Sequence, residues 1–225
     1  MKPRELIASA SIPGGGELRL FRRDGDFMIV LDRNELMNSR MRGSEEALAT
    51  LTCDRLAEAK APRLLIGGYG MGFTLRAALA RLGRDAEVTV VELVPQILDW
   101  ARGPMRDLTA GCLDDRRVRI VEGDVAAVIA AAEASFDAIL LDVDNGPDGL
   151  TCAGNDRLYS GEGLTAAKCA LRRGGVLAVW SAAPDRAFTR RLAQAGFAVE
   201  EVAIRARSNG KGPRHVIWFA RKGRA

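Results

Sequence analysis

The residues able to do chemistry lie at the ends of short apolar runs. The first such run, Leu64-Leu65-Ile66, passes into Gly67-Gly68-Tyr69-Gly70-Met71-Gly72 and then into a helical pattern from Phe73. A strand, a glycine loop and a helix in that order are what a nucleotide-binding loop requires. Glycine lets the backbone turn tightly and lets a ligand reach the main chain without a Cβ clash. A dinucleotide fingerprint counted from Gly68 needs Gly or Ala at position 73, where helix and strand pack closely, and Phe73 stands there. The spacing Gly68, Gly70, Gly72 instead suits an adenosine sulfonium, which has no pyrophosphate to cradle. Glu92 closes the next apolar run, 20 residues beyond Gly72, where an acidic side chain can take both ribose hydroxyls. Asp124, after Glu122-Gly123, is placed to accept the adenine amino group. Asp142 and Asp144, after Ala138-Ile139-Leu140-Leu141, are the candidate catalytic acids. Each acid alone could be a helix cap or a loop residue. Their order at successive strand ends argues for one crevice.

The elements that must position these groups follow from periodicity. Strands are expected at 63–66, 88–91, 118–121, 137–141 and 176–180, and helices at 73–82, 95–102, 125–132, 163–172 and 186–195. Short apolar strands alternating with helices imply a parallel sheet covered on both faces. Two last strands, 198–205 and 215–220, read as an antiparallel hairpin. Residues 1–50 form a separate block with a hairpin, Glu17–Phe21 and Phe27–Leu31, joined by Arg23-Asp24-Gly25-Asp26. A hairpin alone is marginal in water, so it must cover the main domain, 51–225, or another subunit.

Composition narrows the function classes. The chain has 225 residues, 48% hydrophobic and 28% charged, which excludes a disordered or low-complexity chain. Its longest apolar run, Val125 to Ala132, falls well short of the roughly 18 residues a membrane helix needs. The first residues lead into no apolar core, so no secretion signal is expected. Four cysteines, without a C-x-x-C pair, and a single histidine give no zinc site. Scattered free thiols fit a reducing cytoplasm. His215 lies in an apolar strand pattern and lacks an elbow serine, which reads as a structural role and disfavours a hydrolytic triad. Trp100 and Trp180 read as core or interface residues rather than cofactor walls. The net charge of +4 is spread over the chain, so nucleic acid is not the expected partner.

The glycine loop with Thr74-Leu75-Arg76, then Val91-Glu92-Leu93-Val94-Pro95 and Gly123-Asp124-Val125, resembles the spermidine synthase family. Phe136-Asp137-Ala138-Ile139-Leu140-Leu141-Asp142 and Leu158-Tyr159-Ser160-Gly161-Glu162 continue the likeness, which covers roughly residues 15–220. It implies an α/β Rossmann-like class I methyltransferase fold, a mostly parallel seven-stranded sheet with helices on both faces and a small N-terminal β-hairpin, in a homodimer. It implies aminopropyl transfer from decarboxylated S-adenosylmethionine to a diamine. The cofactor would lie on Gly67, Gly68, Tyr69, Gly70, Glu92, Leu93, Asp124, Val125 and Asp142. Glu92 would hold the ribose, and Asp124 and Val125 the adenine. Asp142 matches the acid that deprotonates the acceptor amine, while Asn145 and Tyr159 would face the acceptor.

The departures from the family pattern fall on the acceptor side. Gly70 stands where the family has an aspartate for the aminopropyl amine. Ser44-Glu45-Glu46 replaces a Tyr-His-Glu segment, Asn145 replaces a second acid, and Gly210-Lys211-Gly212-Pro213 lacks the family's tyrosine. An unpaired buried charge costs several kcal/mol, so a doubly cationic diamine needs several carboxylates. The reading that follows is methyl transfer from S-adenosylmethionine to a small-molecule nucleophile. Aminopropyl transfer from the decarboxylated form is the alternative, and a dimeric adenosine-binding module without turnover is the second.

Overall fold

The computed structural model describes residues 3–13, 15–56, 59–143, 156–207 and 209–223. Strands β1 (Glu5–Ser11), β2 (Glu17–Arg23), β3 (Asp26–Leu31) and β4 (Asn34–Asn38) form an antiparallel sheet in that order. The expected hairpin is its centre, with Leu20 opposite Ile29 and Arg23 opposite Asp26. Asp24 and Gly25 turn it at φ of 53° and 87°, the left-handed pair that a two-residue hairpin turn demands. Its inner face, Leu18, Leu20, Phe27, Ile29 and Leu31, shares one core with Leu48, Leu64, Ile66, Phe73 and Trp100. The surface that the hairpin needs is therefore supplied by its own chain.

Helix α1 (Gly43–Arg55) follows, with Glu45 and Glu46 in its first turn and no side-chain cap. The chain continues as β5 (Arg63–Gly67), α2 (Phe73–Arg81), β6 (Glu87–Glu92), α3 (Pro95–Arg102), α4 (Arg106–Thr109), β7 (Val118–Glu122) and α5 (Val125–Ala130). It ends as β8 (Phe136–Leu141), α6 (Asp156–Tyr159), α7 (Gly161–Ala170), β9 (Leu171–Ser181), α8 (Arg186–Gln194), β10 (Ala198–Arg205) and β11 (Arg214–Arg221). The second sheet has seven strands in the order β10-β11-β9-β8-β5-β6-β7. Its pairings from β7 through β9 are parallel, and β11 runs antiparallel to both neighbours.

Alternation explains why both faces are covered. Leu64, Ile66, Val88, Val90, Ala138 and Leu140 enter the core shared with α1 and the N-terminal sheet. Leu65, Val91, Ile139, Leu141, Leu177 and Val179 enter the core under α7 and α8. Each fully buried aliphatic side chain contributes about 1.5–3 kcal/mol. Phe188 anchors the second core, 0% exposed, edge-on to Tyr159 at 5.6 Å and to Trp218 at 5.0 Å between ring centres. Phe188→Ala is expected to cost about 3–5 kcal/mol by cavity formation. Urea unfolding would read this, and a loss under about 1 kcal/mol would show that the aromatic cluster can collapse around the gap.

From β5 the chain builds outward through β6 and β7, then crosses back to place β8 on the other side of β5. Ligands in open α/β sheets bind outside the carboxyl ends of the strands at such a switch point. The end of β5 is Gly67, flanked by Val91 of β6 and Leu141 of β8.

Candidate active site

Three backbone hydrogen bonds bind the strand ends into one rim. Gly68 donates to the Val91 carbonyl at 2.9 Å, Gly123 to that of Glu92 at 2.8 Å, and Asp142 to that of Gly67 at 2.9 Å. Glycine is required at Gly68, whose φ is +83° and where a Cβ would lie 2.4 Å from the Asp142 carbonyl oxygen. Any side chain there would push the β5 and β8 loops apart.

Glu92 is 5% exposed. Its Oε2 accepts the Tyr69 amide at 2.8 Å and its Oε1 the Val94 amide at 2.9 Å. Burial raises its pKa, and backbone amides, Val94's foremost, oppose the rise. The carboxylate thereby ties the glycine loop to the start of α3 while lining the crevice. Asp124 caps α5 by accepting the Ala126 amide at 2.8 Å and also lines the crevice. One residue thus both caps α5 and lines the crevice.

The crevice encloses about 830 Å³, its open mouth included. Gly68, Gly70, Glu92, Leu93, Asp124, Val125 and Asp142 line it together. Ile12, Leu18, Leu31, Leu36 and Met37 of the N-terminal block close it from above. Gly67 packs beneath Val125, where a Cβ would approach to 3.0 Å. Tyr69 meets Glu92 through its backbone amide, while its ring is buried and its hydroxyl lies 3.7 Å from Cys112 Sγ. Among the described residues, the charged groups lining the crevice are Glu92, Asp124 and Asp142, with no Lys or Arg.

Asp142 sits deep, crowded by protein atoms, with one side open to the crevice. Its Oδ2 accepts the Thr74 hydroxyl at 2.6 Å. Burial raises its pKa to about 6 despite that bond. Glu45 lies beside it, its own pKa pushed up to about 8, first by burial and then by the charge of Asp142. Two carboxylates so placed hold a proton between them when no cation is near. Glu46 turns away and pairs with Arg76 at 2.6 Å.

The raised Glu45 and Asp142 values have a consequence for stability. The folded protein binds more protons than the unfolded chain above the ordinary carboxylate range, so stability falls as pH rises from about 4.5 to about 8. Glu45→Gln is expected to be more stable than the parent at pH 8 by about 1–2 kcal/mol and indistinguishable near pH 4. Thermal melts across that range check this, and parallel curves for the two proteins would contradict it.

Tyr159, expected at the acceptor, is 3% exposed in the second core, and its hydroxyl donates to the Val143 carbonyl at 3.3 Å. In that position it braces the segment leaving Asp142. Asp144 and Asn145 lie outside the described residues. Sequence reasoning passed over the polar groups behind Asp142, namely Thr74, Glu45, Ser44 and His215. The Ser44 hydroxyl lies 2.9 Å from Glu45 Oε2 and 2.9 Å from His215 Nδ1. The acidic doublet Glu45-Glu46 was the available signal, but acids in a first helical turn are commonplace.

Sheet order, glycine loop and switch-point crevice together define a Rossmann-like α/β domain of the class I methyltransferase type, capped by an antiparallel N-terminal sheet. The spermine/spermidine synthase domain matches residues 46–187, and the chain belongs to that family. A polyamine aminopropyltransferase of Mycobacterium tuberculosis is 31% identical over 192 residues, covering 81% of this chain and 35% of the relative. The chain therefore spans about a third of the length of that curated relative. The crystal structure of spermidine synthase from Thermotoga maritima superposes with a TM-score of 0.77 at 21% identity, over 98% of this chain and 74% of that one. A spermidine synthase in complex with the transition-state analogue AdoDATO gives 0.76 at 21%, over 98% and 73%. At these identities the structural likeness is one of fold.

Proposed function

We propose that this chain transfers an aminopropyl group from decarboxylated S-adenosylmethionine to an amine of the polyamine class. The observation that carries the reading is the charge of the crevice: its described lining holds three carboxylates and no Lys or Arg, with Glu45 directly behind. A sulfonium donor with a free ammonium and an ammonium acceptor are both cations, and complementary potential favours them. Membership of the synthase family, and a curated relative named polyamine aminopropyltransferase, support the same direction. They favour aminopropyl transfer over the methyl transfer that the sequence first suggested.

In this reading Glu92 accepts the ribose hydroxyls and Asp124 faces the adenine over Val125. The acceptor nitrogen attacks the aminopropyl carbon bonded to sulfur. A C–N bond forms, and the C–S bond breaks with its electron pair going to sulfur. Methylthioadenosine leaves as a neutral thioether, and Asp142 takes the amine proton. Glu45 supplies a second carboxylate at the acceptor side, which offsets the acids missing at Gly70 and Asn145. Holding both reactants in line is the larger part of such catalysis.

One observation favours methyl transfer from S-adenosylmethionine as a second reading. A Cβ at Gly70 would lie 2.7 Å from Met37 Cε, so a thioether fills the place from which an aspartate would hold the donor ammonium. Product identity separates the two. Incubation with decarboxylated donor and putrescine-like diamines is expected to release methylthioadenosine. Release of S-adenosylhomocysteine from the carboxylated donor, with no methylthioadenosine from the other, would replace the proposal by the second reading. We take the homodimer and the cytoplasmic setting as parts of the proposal. The second is supported by Cys53, Cys112 and Cys169, all free thiols. Among the described residues no helix is long and apolar enough to cross a membrane.

A further inference from the structure

A group transfer to an ammonium acceptor must dispose of a proton, and the crevice is roofed by Ile12, Leu18, Leu31, Leu36 and Met37. Behind Asp142 a polar path leads the other way. Thr74 Oγ1 sits between the two acids, 2.6 Å from Asp142 Oδ2 and 3.3 Å from the Glu45 carbonyl oxygen, and the charge of Asp142 reaches the Glu45 carboxyl. Ser44, fully buried, bridges Glu45 Oε2 and His215 Nδ1, both at 2.9 Å. His215 is partly buried on β11, held edge-on to Trp180 at 4.8 Å between ring centres. Ser44 and His215 are 171 positions apart in sequence, so only the packing of α1 on the sheet brings them together.

We propose that Ser44 and His215 form a proton relay that carries the acceptor's proton from Asp142, by way of Glu45, to solvent. The inference rests on the amine-transfer reading above. The proton taken by Asp142 passes to Glu45. Glu45 then donates to Ser44 Oγ as the Ser44 hydroxyl donates to His215 Nδ1, and the imidazolium releases its Nε2 proton to water. A half-turn of the ring returns an unprotonated nitrogen to Ser44. The groups facing His215 are Ser44 from α1, Trp180 from β9 and Ile204 across from it on β10, none of them charged. Facing Glu45 are Asp142, just past the end of β8, with Ser44 and Glu46 on its own helix. Burial lowers the His215 pKa, so the ring is neutral and able to accept near pH 7. His215 and Ser44 are positioning and relay groups, distinct from the residues that touch the reactants.

The chain's single histidine makes the test unambiguous, since every imidazole resonance belongs to His215. Nuclear magnetic resonance titration of the full chain is expected to show two inflections, the second arising from Glu45, and Glu45→Gln should leave only one. In steady-state turnover with decarboxylated donor and diamine, His215→Ala and the small change Ser44→Ala are each expected to lower kcat about tenfold with donor KM unchanged. Added imidazole should restore the His215→Ala rate. Circular dichroism of each variant confirms folding. Wild-type turnover that neither variant slows, together with a one-step titration unaltered by Glu45→Gln, would overturn the relay alone. Absence of wild-type turnover with any amine would overturn the amine-transfer reading and the relay with it.

Discussion

Replacing Asp142 by Asn is expected to lower kcat by about 10²–10⁴-fold, the usual loss when a positioned base is removed. The substitution is conservative in shape. The Thr74 hydroxyl, now 2.6 Å from Asp142 Oδ2, can donate equally to an amide oxygen, and the backbone bond to Gly67 is untouched. What disappears is the ability to take a proton. Donor affinity should stay within about twofold, because in the proposed reading Glu92 and Asp124 hold the adenosine part. Steady-state kinetics at saturating donor, with calorimetry of donor binding alongside, read both quantities. An unchanged kcat would remove Asp142 as the base, and a large affinity loss would recast it as a donor-binding group.

Glu92→Ala should have the opposite signature. Two charge-assisted bonds to ribose at about 1.5–3 kcal/mol each amount to about 3–6 kcal/mol. That corresponds to roughly 10²–10⁴ in affinity for every adenosine ligand. The loss has a second source, since the Tyr69 and Val94 amides that Glu92 now accepts would lose their partner. The glycine loop would then be free to leave the geometry that Gly68 and Gly72 impose. Binding of methylthioadenosine, which carries no ammonium, isolates this effect from the acceptor side. Normal affinity in a folded Glu92→Ala protein would withdraw the ribose assignment.

The main sheet was legible because its strands are buried on both faces and bounded by clear breaks. Helix α3 begins at Pro95 and ends at Arg102 as expected, Pro being favoured in the first turn. The N-terminal block was only half legible. Its central strands alternate strongly around an Asp-Gly turn, whereas β1, Glu-Leu-Ile-Ala-Ser-Ala-Ser, is an edge strand of small residues and β4 has five residues. Helix α1 went unread because Arg42 offers no side-chain cap and its buried positions, Ser44, Leu48, Ala49, Thr52 and Cys53, include few strongly apolar residues. At the crevice, local signals marked the glycine loop, Glu92 and Asp124. Glycines, a strand-end acid and a helix cap each announce themselves within a few residues. Glu45 and His215 carry no such mark, because their roles depend on α1 lying against β11 and the end of β8. The same applies to Met37, which fills the space beside Gly70 from a different sheet.

The most direct test of the central claim is calorimetric binding of decarboxylated and intact S-adenosylmethionine to the purified chain, side by side. A crevice whose described charged lining is three carboxylates should bind the decarboxylated form, with its uncompensated ammonium, more tightly by about tenfold or more. Equal affinity, or preference for the carboxylated form, would contradict the account.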